Sequence, residues 1–140
     1  MNLFKYITDC VLIGVAACLL AASACAAEIV VVVNPKNPLS RMPAEQAAQY
    51  FLGRSTQFTP LELADGTAVR NEFYQKVLDK DPSQVKAIWT KLVFTGKGVA
   101  PKTFGSPAEL KKALASDVDA VGFLPKSQVD DSVKVVLTVP

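Results

Sequence analysis

Ile29-Val30-Val31-Val32-Val33 runs directly into Asn34-Pro35-Lys36-Asn37-Pro38, and this stretch decides how the fold is read. Five β-branched residues without polar alternation suit a strand covered on both faces, as in a parallel sheet. Two prolines then stop it, because proline brings no N–H to a ladder. Loops at the carboxyl ends of parallel strands are where α/β proteins usually hold ligands, so Asn34 and Ser40 are candidate hydrogen-bonding groups. A solvated connection explains them equally well.

Downstream, Ala44, Ala47, Ala48, Phe51 and Leu52 recur at helical spacing, which predicts a helix from about Pro43 to Leu52, with Gly53 at C′. Phe58 to Leu63 alternates, and Pro60 marks it as an edge strand or an extended loop. Asp65-Gly66-Thr67 turns into a second helix carrying Val69, Phe73 and Val77 on one face. Asp81-Pro82-Ser83-Gln84 opens a third with Asp at N-cap, Pro at N1 and Gln at N3. Its stripe is Val85, Ile88, Trp89 and Leu92, and Gly96 closes it. Thr95 to Phe104 reads as a Gly/Pro/Lys loop. Ser106-Pro107-Ala108-Glu109 is a capping box ahead of Leu110, Ala113 and Leu114. Ala120 to Leu124 and Val133 to Val139 complete the pattern as strands. The order β-α-β-α-α-α-β-β predicts a single α/β domain with a three-layer α/β/α core.

Upstream, one net-neutral polar start (Lys5 with Asp9) precedes an apolar run, Val11 to Leu20, and then small residues to Ala27. That order is the pattern of a secretory signal peptide. The apolar part falls short of a strong membrane span, for which roughly 20 apolar residues are needed. Cleavage frames fall after Ala24, Ala26 or Ala27. The expected organisation is therefore a signal peptide over residues 1–27 and one domain over 28–140, exported to the periplasm. The alternative is a lipid anchor on Cys25, since Ala22-Ser23-Ala24-Cys25 resembles a lipobox with Ala in place of its usual first aliphatic residue. Cys10, Cys18 and Cys25 all lie in this segment, so the domain must stand on its hydrophobic core without disulfides.

Composition excludes several classes. The 140 residues carry 15 Lys+Arg against 13 Asp+Glu, a net charge of +2, and the basic residues are not clustered. Nucleic acid is therefore not an expected partner. With no His there is no Ser-His-Asp or Cys-His arrangement and no imidazole metal ligand. No cofactor and no metal is expected, and the acidic pairs Asp117/Asp119 and Asp130/Asp131 supply too few oxygens for a cation. Gly96-Lys97-Gly98 lacks the upstream Gly and the following hydroxyl of a Walker A loop. The aromatics Tyr50, Phe51, Phe73, Tyr74, Trp89 and Phe94 lie on or beside helical stripes and are expected in the core.

Positive chemistry is confined to one place. Asp65-Gly66-Thr67 enters a helix, where free N–H groups and a hydroxyl can meet an oxyanion, and Arg70 one turn on can add a charge-assisted contact. The plain alternative is a common Asp-Gly turn with Thr67 as N-cap.

Five stretches together resemble a group of short exported proteins similar to the phosphate-binding proteins of ABC transporters. They are Val32-Val33-Asn34-Pro35-x-Asn37-Pro38, Tyr50-Phe51-Leu52-Gly53-Arg54, Arg70-x-x-Phe73-Tyr74, Trp89-x-x-Leu92-Val93-Phe94-Thr95-Gly96-Lys97-Gly98 and Ala120-Val121-Gly122-Phe123-Leu124. The resemblance implies the fold of a type II periplasmic solute-binding protein. Full-length members have two lobes and more than twice the length of residues 28–140, so the domain looks like little more than one lobe. It also implies a non-enzymatic binding role, with a small oxyanion such as phosphate as ligand and a membrane permease as partner. The candidate groups for such a ligand are those already read from the residues: Asn34, Ser40, Gly66, Thr67 and Arg70. The family's oxyanion motif, Arg-x-Asp-Gly-Ser-Gly-Thr, aligned on Gly66-Thr67, places its Arg, Asp and Ser on Leu61, Leu63 and Asp65. Only Gly and Thr match, and a carboxylate stands at the Ser position. That departure favours a second expectation, a single-lobe envelope module that binds a protein partner or sensor, or pairs with itself as a homodimer.

Overall fold

The structure is a computed structural model and describes residues 28–140; the expected signal segment, its cleavage frames and Cys25 lie outside the described residues. The chain runs β1 (Ile29–Val33), α1 (Ala44–Phe51), β2 (Thr59–Leu63), α2 (Ala68–Phe73), α3 (Pro82–Phe94), β3 (Lys102–Phe104), α4 (Pro107–Ala115), β4 (Ala120–Pro125) and β5 (Lys134–Val139). A π-helical turn, Tyr74–Leu78, continues α2, and a 3₁₀ turn, Lys126–Gln128, follows β4. No helix among the described residues is long and apolar enough to cross a membrane.

One five-stranded sheet organises these elements in the order β3-β2-β4-β1-β5. β1 is buried along its whole length, as its composition requires. Its direction differs from the expectation of a parallel setting. β1 is antiparallel to both neighbours, β4 and β5, whereas β2 is parallel to β3 and β4. Helices cover both faces, and that covering makes the run apolar whichever way the strand points. The reversal puts Asn34 beside the start of β4, at the opposite end of the sheet from the carboxyl end of β2, and Ser40 follows in the connection that leaves from there.

β2 is not an edge strand despite Pro60. The Thr59 N–H bonds Asp119 O and the Ala64 N–H bonds Phe104 O, so backbone groups at even positions of β2 point toward β3. β3 pairs only with Leu61 to Leu63 and stops short of Pro60. The missing N–H therefore removes no ladder bond. The expected loop from Thr95 to Phe104 contains β3 at its end, too short to show a period of its own.

The two faces of β4 show the layering. A Cβ on Gly122 would meet Leu110 of α4, whereas Phe123 packs on Phe51 of α1 and Phe73 of α2. α4 thus covers one face and α1 and α2 the other, the expected three-layer α/β/α arrangement. α3 is started by a complete capping box: Asp81 accepts from the Gln84 N–H, and the Gln84 side chain accepts from the Asp81 N–H. At α4, Ser106 accepts from the Glu109 N–H, but the Glu109 carboxylate takes the Gly105 N–H instead of its partner's.

α3 is fixed to α1 by the Trp89 indole N–H, which donates to Phe51 O at 2.9 Å. Gly53 sits beneath this contact at φ 71°, and a Cβ there would stand 2.5 Å from Leu92 Cδ1 and 2.9 Å from Trp89 Cη2. Gly53→Ala is expected to lower stability by about 2 kcal/mol, combining a left-handed backbone with the push on Trp89. Urea unfolding followed by emission of the single tryptophan checks it; an unchanged midpoint would show that α3 yields freely.

Candidate functional site

β2 ends in Leu61-Glu62-Leu63, and because both faces of the sheet are covered, Glu62 is buried along with its apolar neighbours, only 2% exposed. Two side chains converge on it, and a third, Asp65, joins through Arg70. The Tyr74 hydroxyl donates to Glu62 Oε2 at 2.7 Å, and Arg70 Nη2 lies 3.3 Å from the same oxygen. Arg70 Nε donates to the Tyr74 oxygen at 2.8 Å, and Arg70 Nη1 pairs with Asp65 Oδ1. Arg70 and Tyr74 stand four residues apart, one turn of helix, which puts both on the face over Glu62. Glu62 Oε1 is buried without a hydrogen-bond partner.

Electrostatics follow from this placement. Burial pushes the Glu62 carboxyl above its ordinary value near 4.5, and the Tyr74 hydrogen bond and Arg70 charge only partly oppose it, with Asp65 adding repulsion. Burial also raises the Tyr74 phenol, followed by the charge of Glu62 and the hydrogen bond to it. The cluster contains two carboxylates and one guanidinium.

A groove of about 850 Å³ opens over this cluster. Glu62, Asp65 and Arg70 lie at one side, and α3 supplies the opposite wall through Val85, Trp89 and Phe94, with Pro101 ahead of β3. Its size falls in the range of small-molecule sites. Phe94 is 90% exposed, not in the core as its helical neighbours suggested. It stands off the Val85-Ile88-Trp89-Leu92 stripe, so its ring projects at the groove rim.

The five residues expected from the sequence do not form one group. Gly66, with φ 81°, Thr67 and Arg70 lie together at the carboxyl end of β2, and Gly66 and Arg70 line the groove. Thr67 is the N-cap of α2, but its hydroxyl donates to Ala64 O and makes no cap bond. Asn34 lies at the other end of the sheet, where its amide donates to Leu114 O and Ala115 O and accepts from the Lys36 N–H. Those bonds tie β1 to the end of α4 and consume its polar groups. Asn37 does likewise through Val118 O and the Leu39 N–H. Ser40 is exposed, in the same connection between β1 and α1. Glu62 and Tyr74 join the cluster without having been singled out. The available signal was a lone carboxylate between two leucines in a strand.

Among the described residues no group of three or more Cys, Asp or Glu side chains could hold a metal ion.

The fold is a mixed sheet with helices on both faces and a groove at the carboxyl end of β2. Solved structures similar to it include substrate-binding receptors of phosphate ABC transporters. An ABC-type phosphate transport receptor from Vibrio cholerae matches with a TM-score of 0.60 and 19% identity, over 79% of this chain and 46% of the receptor. A phosphate ABC transporter substrate-binding protein with bound phosphate from Clostridium perfringens matches at 0.63 and 19%, over 79% and 45%. PstS from Borrelia burgdorferi matches at 0.59 and 8%, over 79% and 47%. At these identities the likeness shows the fold, and the chain spans about half the length of the receptors it matches. No protein-family model matches the chain, and no curated protein sequence does.

Proposed function

We propose that the chain is an exported, non-enzymatic binding lobe that takes a small oxyanion such as phosphate in the periplasm and delivers it to a membrane permease. The observation that carries this reading is Arg70, held at the carboxyl end of β2 beside Gly66 and Thr67, at the mouth of the groove. Fold likeness to two substrate-binding proteins of phosphate ABC transporters, one with bound phosphate, supports it. Arg70 has five N–H donors and spends one from each nitrogen on Tyr74, Asp65 and Glu62, so donors remain for a ligand. Asp65, whose side chain is 92% exposed, would repel a bare anion but accepts a hydrogen bond from an oxyanion that carries its own proton. Phosphate titrated into the protein is expected to release or absorb heat with a Kd of about 1 mM or tighter and to move the Gly66 and Thr67 amide resonances. Silence of both signals at that concentration rejects the oxyanion.

A second reading is favoured by one specific observation. Phe94 at the groove rim is 90% exposed and Val99, next to the groove residue Ala100, is 88% exposed. Such side chains suit a protein partner in the envelope, a sensor or a second copy of this chain. Light scattering separates the last case: a dimer that disappears in Phe94→Asp supports it, and a monomer at all concentrations rejects it.

A further inference from the structure

The interior of the groove has a chemistry that an oxyanion does not use. We propose that it is a binding site for a small organic primary amine with an apolar or aromatic body, whose ammonium completes the Glu62 cluster. Glu62 is buried, lines the groove, and leaves Oε1 without a partner, although a buried carboxylate oxygen ordinarily has one. In the ionised form that oxygen is an acceptor, and a hydrogen-bond donor satisfies it. Two carboxylates, Glu62 and Asp65, face one guanidinium, so a cationic donor fits the cluster better than a neutral one. The other cation on the groove, Lys86, is exposed on α3 and shielded by water and salt, whereas Glu62 is not.

The wall opposite supplies the rest of the recognition. Val85, Trp89 and Phe94 give a largely apolar surface for the body of the ligand, and the Phe94 ring offers a π face to a cation entering past it. Contact requires the Glu62 carboxyl to turn about its terminal torsion, which moves Oε2 off Tyr74 and Arg70 as Oε1 comes to the groove, and the ammonium replaces the donors so lost. The site shares Arg70 and Asp65 with the oxyanion reading but takes its ligand on the carboxylate of Glu62, where the oxyanion would use the Gly66 and Thr67 amides and Arg70 at the mouth.

The experiment titrates the full chain with 2-phenylethylamine, 2-phenylethanol and 3-phenylpropionate, following emission of Trp89, the single tryptophan. The amine is expected to give a saturable change at concentrations on the order of 1 mM, and about tenfold tighter than the alcohol of the same shape. The carboxylate is expected not to bind. Glu62→Gln, folded by circular dichroism, is expected to weaken the amine by about tenfold or more. Phe94→Ala, at an exposed position, is expected to weaken all binding severalfold with the fold intact. Equal affinity for amine and alcohol overturns the proposal, as does no amine signal at about 10 mM. The comparison of ligands on the unaltered chain decides the matter even where Glu62→Gln does not fold. Phosphate enters none of these arms, so its failure or success leaves the outcome unaffected.

Discussion

Phe73→Ala is expected to lower the unfolding free energy by about 3–5 kcal/mol, the range for emptying a fully enclosed aromatic site. Phe73 has no exposed surface and lies at the centre of the side of the sheet covered by α1 and α2. Its ring stacks on Phe123 at 4.2 Å with 8° between planes, and Phe51 meets it edge-on at 4.8 Å and 72°. These three rings come from α1, α2 and β4, so one side chain joins three elements distant in sequence. Removing it takes away transfer energy, leaves a cavity and breaks two aromatic pairings. A domain of this size is stable by only about 5–15 kcal/mol, so the loss takes a large share of the margin. Thermal unfolding should fall by about 10 °C or more. Phe94→Ala is the internal control, since a ring in water should change stability by less than about 0.5 kcal/mol. A loss below about 1 kcal/mol for Phe73→Ala would mean that the aromatic trio is not the keystone of this layer.

The contrast between Phe73 and Phe94 also shows what the sequence could and could not say. Both are phenylalanines in helical segments. Phe73 repeats with Val69 and Val77, and the structure buries it. Phe94 falls two residues after Leu92, off the stripe that faces inward, and the structure leaves it in solvent. Periodicity carried that information, and residue type alone obscured it. β1 is a different case. Its burial was legible because five β-branched residues have no polar face to offer water, but its direction is set by pairings with Phe123 and Leu137, many residues away. No local pattern records the direction of a strand. Reading it as parallel placed Asn34 and Ser40 at the ligand end of the sheet, and the antiparallel pairing moves them to the other end. Pro60 likewise obeys its local rule only because β3 is short. Glu62 was hidden because alternation assigns a single charged residue between leucines to solvent, and only the helices over that face make it buried.

Arg70→Met should be the most damaging change at the site, costing about 3 kcal/mol near pH 8, because it leaves Glu62 buried without its cation. Arg70 is 13% exposed in its side chain and touches Glu62, Asp65 and Tyr74 at once. Methionine keeps much of the volume and none of the charge, so the loss reports electrostatics more than packing. The pH dependence identifies the cause. The folded-state pKa of Glu62 lies above its ordinary value, so the folded chain holds that proton more tightly than the unfolded chain does. The resulting stability is fully present below about pH 4.5 and is lost as pH rises through the folded pKa. Arg70 limits the loss by favouring the charged carboxylate. Without it the folded pKa rises further, so the loss continues to higher pH. The penalty for Arg70→Met should therefore be small near pH 4.5 and grow toward pH 8, measured as urea midpoints across that range. A penalty independent of pH would mean that Arg70 acts by packing alone. The double variant Glu62→Gln with Arg70→Met should recover most of the loss at pH 8, since a neutral amide beside Tyr74 no longer needs a counter-charge. Recovery would identify the arginine's structural task as neutralising Glu62, and it would show that the acidic floor of the groove is retained at a cost to stability that an uncharged pair avoids.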